Sequence, residues 1–474
     1  MIPAPPADRL PDGFAVRLDP AVRRRDGGAA LLGGSPLRLL RLAPRAAALL
    51  AGDRLVVRDT TSAAVAGRLL DAGLAHPDLP PAADAGDVTV VVPVRDRPAA
   101  LARLLAALRA DPATAAVPVV VVDDGSRIPV AGSEVAGRPG VRVVRHPVAR
   151  GPAAARNAGL AVATTGLVAF LDSDCVPGAG WLARLLPHLA DPRLAVVAPR
   201  IVPLHGAGRG WTSPYEEVAG ALDMGPRPAP VRPLSAVSYV PSAALLARRT
   251  ALGDGFDAAL RVAEDVDLVW RLTAAGWRVR YEPAATVAHE HLVRTAEWVR
   301  RRAFYGTGAA LLAQRHGGVV SPLVIAPETA VTWVLALAGG RWGRVAAAGL
   351  LGVTTVRLAR RLAPSGGRPP YGLAAGLVLH GTGASGRALA RSATRHHWPL
   401  AVAAAVVSRR ARTRLLAVAL ADGLLAWAPH RGRIGPVRSV LTRRLDDLAY
   451  GAGLWAGALR ARSARALLPT RPPR

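Results

Sequence analysis

Two valine-rich runs separated by a helical pattern restrict the possible folds of this chain more than any other feature. The runs are Val88–Val92 and Val117–Val122, and Ala99–Arg109 between them has leucines at helical spacing. Strands that are valine-rich along their whole length are typical of parallel sheets whose two faces are covered by helices. The alternation continues with a strand at Val141–Val144, a helix at Pro152–Ala163 and a strand at Leu167–Leu171. We therefore predict an α/β domain with a mainly parallel sheet.

The 474 residues exceed one ordinary domain, and local composition divides them into three regions. Residues 1–87 show strands followed by short helices and end in a Pro/Ala/Asp linker, which predicts a small winged-helix-like domain. Its helices are expected at Leu37–Leu50 and at Ser62–Ala72, with Ser62 as the N-cap. Residues 88–291 hold the α/β domain, and residues 292–474 form a helical, apolar C-terminal region.

The third region contains four apolar stretches whose relation to a membrane the sequence leaves open. Each is shorter than, or about equal to, the roughly 20 apolar residues of a spanning helix. The stretches are Leu323–Gly340, Val345–Val356, Leu400–Val407 and Leu415–Ala428. Helices at a membrane surface or marginal spans are one interpretation, and a soluble helical bundle is the other.

Charge and cysteine content limit the partners and the compartment. The net charge is +28 without a single lysine, and no aromatic-rich basic motif accompanies it, so we predict no nucleic-acid partner. C-terminal arginines such as Arg409 and Arg410 suit an anionic membrane surface, or a solvated face. The single cysteine, Cys175, excludes an intrachain disulfide, and the first residues show no secretory signal. We expect a cytoplasmic protein, with or without contact to the inner face of the cell membrane.

Carboxylates follow two of the predicted strands. Asp123 and Asp124 end one strand, where they suit a nucleobase or ribose, although an ordinary Asp-Gly turn is the alternative. Asp172 and Asp174 follow the strand Leu167–Leu171, and hard oxygen ligands at such a position suit Mg²⁺ or Mn²⁺ beside substrate phosphates. In α/β sheets ligands bind at the carboxyl ends of strands, which is where these four side chains fall.

Three further groups of charged or titratable residues each have two alternative interpretations, one as part of a reactive site and one as ordinary structure. Arg156 lies near the start of a helix and either faces phosphate or is a solvated surface charge. Glu264 and Asp265 precede the helical pattern Val266–Ala275, so one of them is a general base or both favour the helix dipole. His289 follows a short strand and either completes a metal shell or is solvated.

In this order the motifs resemble those of family 2 glycosyltransferases with the GT-A fold. The matching segments are Val91–Arg97, Asp123–Ser126, Arg156–Gly159, Asp172–Asp174 and Glu264–Asp265. The resemblance implies a metal-dependent hexosyltransferase that uses a nucleotide sugar and inverts the anomeric carbon, with Asp265 as the base and Glu264 beside it. It also implies that Asp123 and Asp124 contact uracil or ribose and that Asp174 holds the cation. Together with the residues considered above, we predict a donor site made of Pro93, Arg95, Asp123, Asp124, Arg156, Asn157 and Asp172, and a Mg²⁺ or Mn²⁺ site made of Asp172, Asp174 and His289.

Over nearly its full length the chain also resembles the glycosyltransferases of mycofactocin systems. Leu10–Pro20, Leu31–Leu37 and Arg301–Thr307 carry this similarity, and the first region resembles PqqD-like peptide-recognition domains. The resemblance implies transfer of glucose from UDP-glucose to a small peptide-derived redox cofactor, giving β-linked oligoglycosylation. A lipid-linked or cell-envelope glycan is the alternative acceptor.

Overall fold

A computed structural model of the protein describes residues 1–50, 52–132, 135, 137–206, 210–363 and 367–472. The described residues fall into two units. The first comprises residues 1–209 and 219–292, and the second comprises residues 210–218 and 293–474. Each unit is considered by itself below.

The N-terminal part of the first unit has two small antiparallel sheets. Its strands pair in the orders β5-β1-β6 and β2-β3-β4. The elements are β1 (Ala15–Leu18), β2 (Arg23–Arg25), β3 (Ala30–Gly33), β4 (Arg38–Arg41), α1 (Pro44–Leu49), β5 (Arg54–Val56), α2 (Thr60–Ala72) and β6 (Ala75–Pro77). The predicted winged-helix character is not confirmed, because α2 is the one described helix here that is longer than two turns.

Two local predictions for this part are wrong. The first half of the predicted helix Leu37–Leu50 is strand β4, because Leu40 pairs with Leu31 of β3 and both are buried in the same core. The N-cap of α2 is Asp59, whose carboxylate accepts from the backbone N–H of Ser62 at 2.7 Å. Ser62 is instead the third helical residue and completes the capping box.

The N-terminal part has its own core and also contacts the large sheet of the same unit. Leucines of β3 and α2, such as Leu31 and Leu69, are fully buried in that core. Asp71 of α2 binds Arg278 through two hydrogen bonds of 2.9 and 3.0 Å, and Arg278 also donates to Asp191 at 2.9 Å. The three predicted domain boundaries therefore stay predictions, since residues 1–87 share a unit with the α/β part.

The remainder of the first unit is a nine-stranded sheet with helices. The strands are β7 (Val88–Val94), β8 (Val119–Asp124), β9 (Val141–His146), β10 (Leu167–Leu171), β11 (Cys175–Pro177), β12 (Leu194–Pro203), β13 (Ala229–Pro230), β14 (Ala244–Arg248) and β15 (Arg278–His289). The helices are α3 (Pro98–Ala110), α4 (Pro152–Val162), α5 (Trp181–Leu185) and α7 (Glu264–Ala274), while most of α6 (Ser213–Ala219) belongs to the second unit. The valine runs of the sequence are β7 and β8, and both are buried nearly throughout because the sheet is covered on both faces.

The sheet is mixed, so the prediction of a mainly parallel sheet is only partly right. The strand order is β11-β15-β12-β14-β10-β7-β8-β9, with β13 beside β15. Strand β14 lies between β10 and β12 and is antiparallel to both. After β12 the chain re-enters the sheet from the edge at which β12 ends, so β14 runs back against its neighbours. Strands β7, β8, β9, β10, β12 and β15 share one direction, and their carboxyl ends meet at one edge.

Helix α4 packs closely on β7 through Gly159. A Cβ atom at this position would lie 2.2 Å from Cγ1 of Val91, far inside van der Waals contact. We predict that Gly159→Ala lowers the free energy of unfolding by about 1–3 kcal/mol, because the strand or helix must shift. Urea denaturation checks this result. Gly376→Ala, at an exposed helical glycine with open space around it, is the matched control and is expected not to destabilise the protein.

The second unit is helical. Besides α6, its helices are α8 (Thr295–His316), α9 (Pro327–Ala338), α10 (Gly340–Leu362), α11 (Tyr371–Arg391), α12 (Trp398–Val407), α13 (Arg409–Trp427) and α14 (Pro436–Arg460). Helices α8 and α14 pack backbone to backbone, since a Cβ atom on Gly306 would lie 2.2 Å from the carbonyl oxygen of Tyr450. Among the described helices, none combines the length and the apolarity that crossing a membrane requires.

Candidate functional site

The acidic motifs converge at the sheet edge where the parallel strands end. Strand β7 is parallel to both β8 and β10, so Asp124 at the end of β8 and Asp172 after β10 emerge on the same side. Helix α7 begins at Glu264, and an ion-paired arginine ties Glu264 to Asp172. Within the first unit, Arg156 therefore links Asp172 to Glu264, while the predicted convergence of Asp124, Asp174 and Asp265 on one donor stays a prediction.

Asp172, Asp174 and His289 form a cluster with the dimensions of a metal site. One ligand atom from each side chain lies within 4.8 Å of the others. Strand β11 positions the cluster, because its antiparallel pairing with β15 sets Cys175 opposite His289 and so brings Asp174 beside the imidazole. Nε2 of His289 is 3.4 Å from a carboxylate oxygen of Asp174.

Arg97 is a neighbour of this cluster that the sequence did not identify as a site residue. Its guanidinium donates to the second carboxylate oxygen of Asp174 at 2.5 Å. It lies in the loop after β7, immediately before Pro98 begins α3. The available signal was its position at the end of the Val91–Arg97 motif, but the pairing with Asp174 joins residues 77 positions apart.

Arg156 connects the metal cluster to the predicted base motif. Its side chain is 3% exposed and donates to Asp172 at 2.6 Å and to Glu264 at 3.0 Å. Its guanidinium also lies 5.4 Å from the ring centroid of Phe256, a cation–π distance. A buried arginine with two carboxylate partners fixes their relative positions, since any displacement leaves a charge unpaired. The predicted contact of Arg156 with the donor stays a prediction, and its observed partners are carboxylates.

Asp265 lies in the first turn of α7 with an altered acidity. Its two oxygens accept from the backbone N–H groups of Ser242 at 3.2 Å and of Val266 at 2.8 Å. Burial, reinforced by the negative charge of Glu264, raises the pKa of Asp265 to about 6. Ala263 before the helix adopts φ +64°, an unusual conformation for a residue with a side chain. A carboxylate that is partly exposed and titrates near neutrality suits a general base.

Asp123 is fully buried, and the protein itself binds its carboxylate. The side chain accepts from the backbone N–H groups of Ser126 at 2.9 Å and of Val130 at 3.0 Å, and it also pairs with Arg145. Burial opposes ionisation, but these hydrogen bonds outweigh it and leave the pKa of Asp123 below its usual value. The observed contacts of Asp123 are structural, and its contact with a donor stays a prediction.

Asp124 closes the loop that leads into α4. Its oxygens accept from Nδ1–H of His146 and from the backbone N–H groups of Arg150 and Gly151, each at 2.8 Å. Burial again opposes ionisation, and the hydrogen bond from His146, followed by the backbone donors, lowers the pKa of Asp124. The turn needs Gly125, which adopts φ +71° and whose Cβ would lie 2.6 Å from the backbone nitrogen of Ala149. His146 was not identified from the sequence.

Three predicted donor-site residues have different surroundings. Pro93 is half-buried near the end of β7, and Arg95 is exposed, with its Nε 3.8 Å from Asp96. The side-chain amide of Asn157 bonds both backbone groups of Phe256, donating at 2.6 Å and accepting at 2.9 Å. Asn157 therefore holds the segment against which Arg156 stacks, whereas Pro93 and Arg95 remain available at the open edge.

Comparisons with known proteins identify glycosyltransferases that are similar to this chain. The family model for glycosyl transferase family 2 matches residues 89–252. The pre-mycofactocin glycosyltransferase of Mycobacterium tuberculosis is 47% identical over 473 residues, which is 98% of this chain and 99% of that protein. An uncharacterised glycosyltransferase of Mycobacterium bovis is 35% identical over 196 residues, covering 41% of this chain and 83% of its own. A solved mannosyltransferase of Pyrobaculum calidifontis, in complex with GDP-Man and Mn²⁺, is 19% identical and covers 78% of this chain and 90% of that one, with a TM-score of 0.38.

Proposed function

Because the chain belongs to the pre-mycofactocin glycosyltransferases within glycosyl transferase family 2, we propose that its site transfers glucose from UDP-glucose to a small peptide-derived redox cofactor. The transfer inverts the anomeric carbon and is repeated to give β-linked oligosaccharides. One observation carries the mechanism: Arg156 ties the Asp172–Asp174–His289 cluster to the helix end that holds Asp265.

The cluster fits a divalent cation. Asp172 and Asp174 supply the carboxylate oxygens that suit Mg²⁺ and Mn²⁺, and His289 supplies an imidazole nitrogen at the same point. Arg97 and Arg156 already donate to these carboxylates and so orient them. A bound cation would neutralise the leaving diphosphate of the donor.

Asp265 is proposed to remove the proton from the acceptor hydroxyl. The hydroxyl oxygen then forms a bond to the anomeric carbon on the face opposite the leaving group. The bond from that carbon to the diphosphate oxygen breaks, and its electron pair leaves with the nucleoside diphosphate. The proton ends on a carboxylate oxygen of Asp265, whose pKa of about 6 suits both accepting it and releasing it near neutral pH.

The donor is proposed to lie against the carboxyl ends of β7 and β8. Pro93 and Arg95 are accessible there, and Asp124 orders the adjacent loop through Arg150 and Gly151. A nucleobase or ribose placed at this edge would have its diphosphate directed at the Asp172–Asp174 cluster, since β7 lies between β8 and β10.

Incubation of the purified protein with UDP-glucose and Mn²⁺ tests the proposal. Peptide-derived and lipid extracts serve as separate acceptors, and mass spectrometry follows the products. We expect successive hexose additions to the peptide-derived species only. The alternative is a lipid-linked or cell-envelope glycan, which the exposed leucines and valines of the second unit favour. Hexose transfer only to the lipid extract would establish that alternative in place of the proposed acceptor.

The rate of transfer is expected to depend on pH through Asp265. A base must be unprotonated, so kcat falls as the pH drops below about 6 and is level above it. Glu264→Gln removes the nearby negative charge that raises this pKa, and it should move the transition to lower pH. The pH profiles of kcat for the two proteins measure the shift. An unchanged midpoint in the Glu264→Gln variant contradicts the assignment.

A further inference from the structure

The junction of helices α12 and α13 combines exposed valines with a run of arginines. Val406 and Val407 at the end of α12 are 76% and 88% exposed. Ser408 breaks the helix with an extended backbone conformation and caps α13, accepting from the N–H of Ala411 at 3.3 Å. The next turns hold Arg409, Arg410, Arg412 and Arg414, all exposed. We name these six residues, the two valines and the four arginines, the α12–α13 corner.

Apolar side chains continue from the corner along both helices. Leu400 and Val402 of α12 are exposed, and so are Leu416 and Leu420 of α13. Leu416 and Leu420 are four residues apart, so they share one face of their helix. Leucines and valines exposed together on neighbouring helices are unusual for a surface that contacts only water.

The charge around the corner is strongly positive. Residues 320–435 contain 15 arginines against two acidic residues, Glu328 and Asp422. Asp422 does not neutralise the corner, because its carboxylate is already bound by Arg443 at 2.9 Å and by Arg444 at 2.5 Å. Water accommodates the arginines of such a surface but not its valines, whereas an anionic lipid interface accommodates both.

We propose that the α12–α13 corner binds the surface of an anionic lipid bilayer. The valines enter the boundary between headgroups and acyl chains, and the arginines bind lipid phosphates and anionic headgroups. This interaction is independent of the proposed acceptor and concerns where the enzyme works. Helix α10 has the same character, because Trp342 and Val345 are exposed directly after Arg341 and Arg344 at its start, and Arg357 is exposed further on.

Vesicle flotation with the full-length protein tests the proposal. We expect the protein to float with phosphatidylcholine vesicles that contain phosphatidylglycerol and not with phosphatidylcholine alone. Raising the salt should release it, because exposed charges are then screened. Val406→Glu with Val407→Glu, and separately glutamine at the four arginines of the corner, should each weaken vesicle binding by at least about tenfold.

Matched control variants distinguish the effect of the α12–α13 corner from general effects of surface charge and surface hydrophobicity. Leu37→Glu with Leu49→Glu changes two exposed leucines in the first unit, and glutamine at Arg23, Arg45, Arg142 and Arg184 removes four exposed arginines there. Both controls should bind vesicles like the unchanged protein, and UDP release should be equal in all variants. The proposal is overturned if the protein binds neutral vesicles as well as anionic ones, or if the control variants lose as much vesicle binding as the corner variants. It is also overturned if the protein binds no vesicles and Val406→Glu instead disrupts a dimer.

Discussion

Asp265→Asn is expected to lower kcat by roughly 10²- to 10⁴-fold, the range typical for loss of a general base. The amide has nearly the shape of the carboxylate, and its oxygen still accepts from the backbone N–H of Val266, so only the longer hydrogen bond from Ser242 is lost. The variant should therefore fold normally and bind the donor with unchanged affinity. Steady-state assays of UDP release, with donor binding measured separately, distinguish loss of the base from loss of binding.

Asp267→Asn is the matched control for Asp265→Asn. Both acids lie in the first turn of α7, but Asp267 is buried and pairs with Arg271 of the same helix at 2.7 Å. Its replacement removes the same charge from the helix N-terminus and should lower stability more than kcat. Equal losses of kcat in the two variants would mean that α7 needs negative charge at its start, and that Asp265 is not the base.

Asp174→Ala is expected to reduce transfer by about three orders of magnitude, since a catalytic cation contributes several kcal/mol to the transition state. Asp174 tests the role of the cation more directly than Asp172 does, because Asp172 also binds the buried Arg156. Residual activity of the variant should no longer respond to added Mn²⁺. A titration of UDP release against Mn²⁺ concentration measures both effects.

Glu290→Ala is the control for Asp174→Ala. Glu290 follows His289 directly but binds Arg103 at 2.6 Å and is not part of the metal cluster. The Glu290→Ala variant should retain both its rate of transfer and its response to Mn²⁺. An Asp174→Ala variant that is still fully stimulated by Mn²⁺ would place the cation elsewhere or exclude a catalytic part for it.

The sequence predicted best those elements whose apolar pattern is decided by neighbouring residues alone. Leu167–Leu171 is the strand predicted. Helix α3 is one residue longer than predicted at each end, and α4 ends one residue earlier than predicted. The antiparallel direction of β14 was not predicted, because it depends on how the chain returns to the sheet after β12. Arg38–Arg41 was misassigned to a helix because its leucines fit both periodicities, and only the pairing of Leu40 with Leu31 decides between them.

The candidate site was predicted as a set of residue types, but not as a set of contacts. The sequence associated Asp172, Asp174 and His289, and the structure brings these three together. It gave no sign that Arg156 would be buried between Asp172 and Glu264, because that ion pairing joins residues up to 108 positions apart. The pairing of Arg97 with Asp174 and of His146 with Asp124 was missed for the same reason.

Calorimetric titration of Mn²⁺ into the protein saturated with UDP tests the metal cluster most directly. The unchanged protein should bind one Mn²⁺ per chain, and Asp174→Ala and His289→Ala should each weaken that binding while Glu290→Ala leaves it intact. Equal Mn²⁺ affinity in all four proteins would contradict a cation site at Asp172, Asp174 and His289, and with it the proposed mechanism.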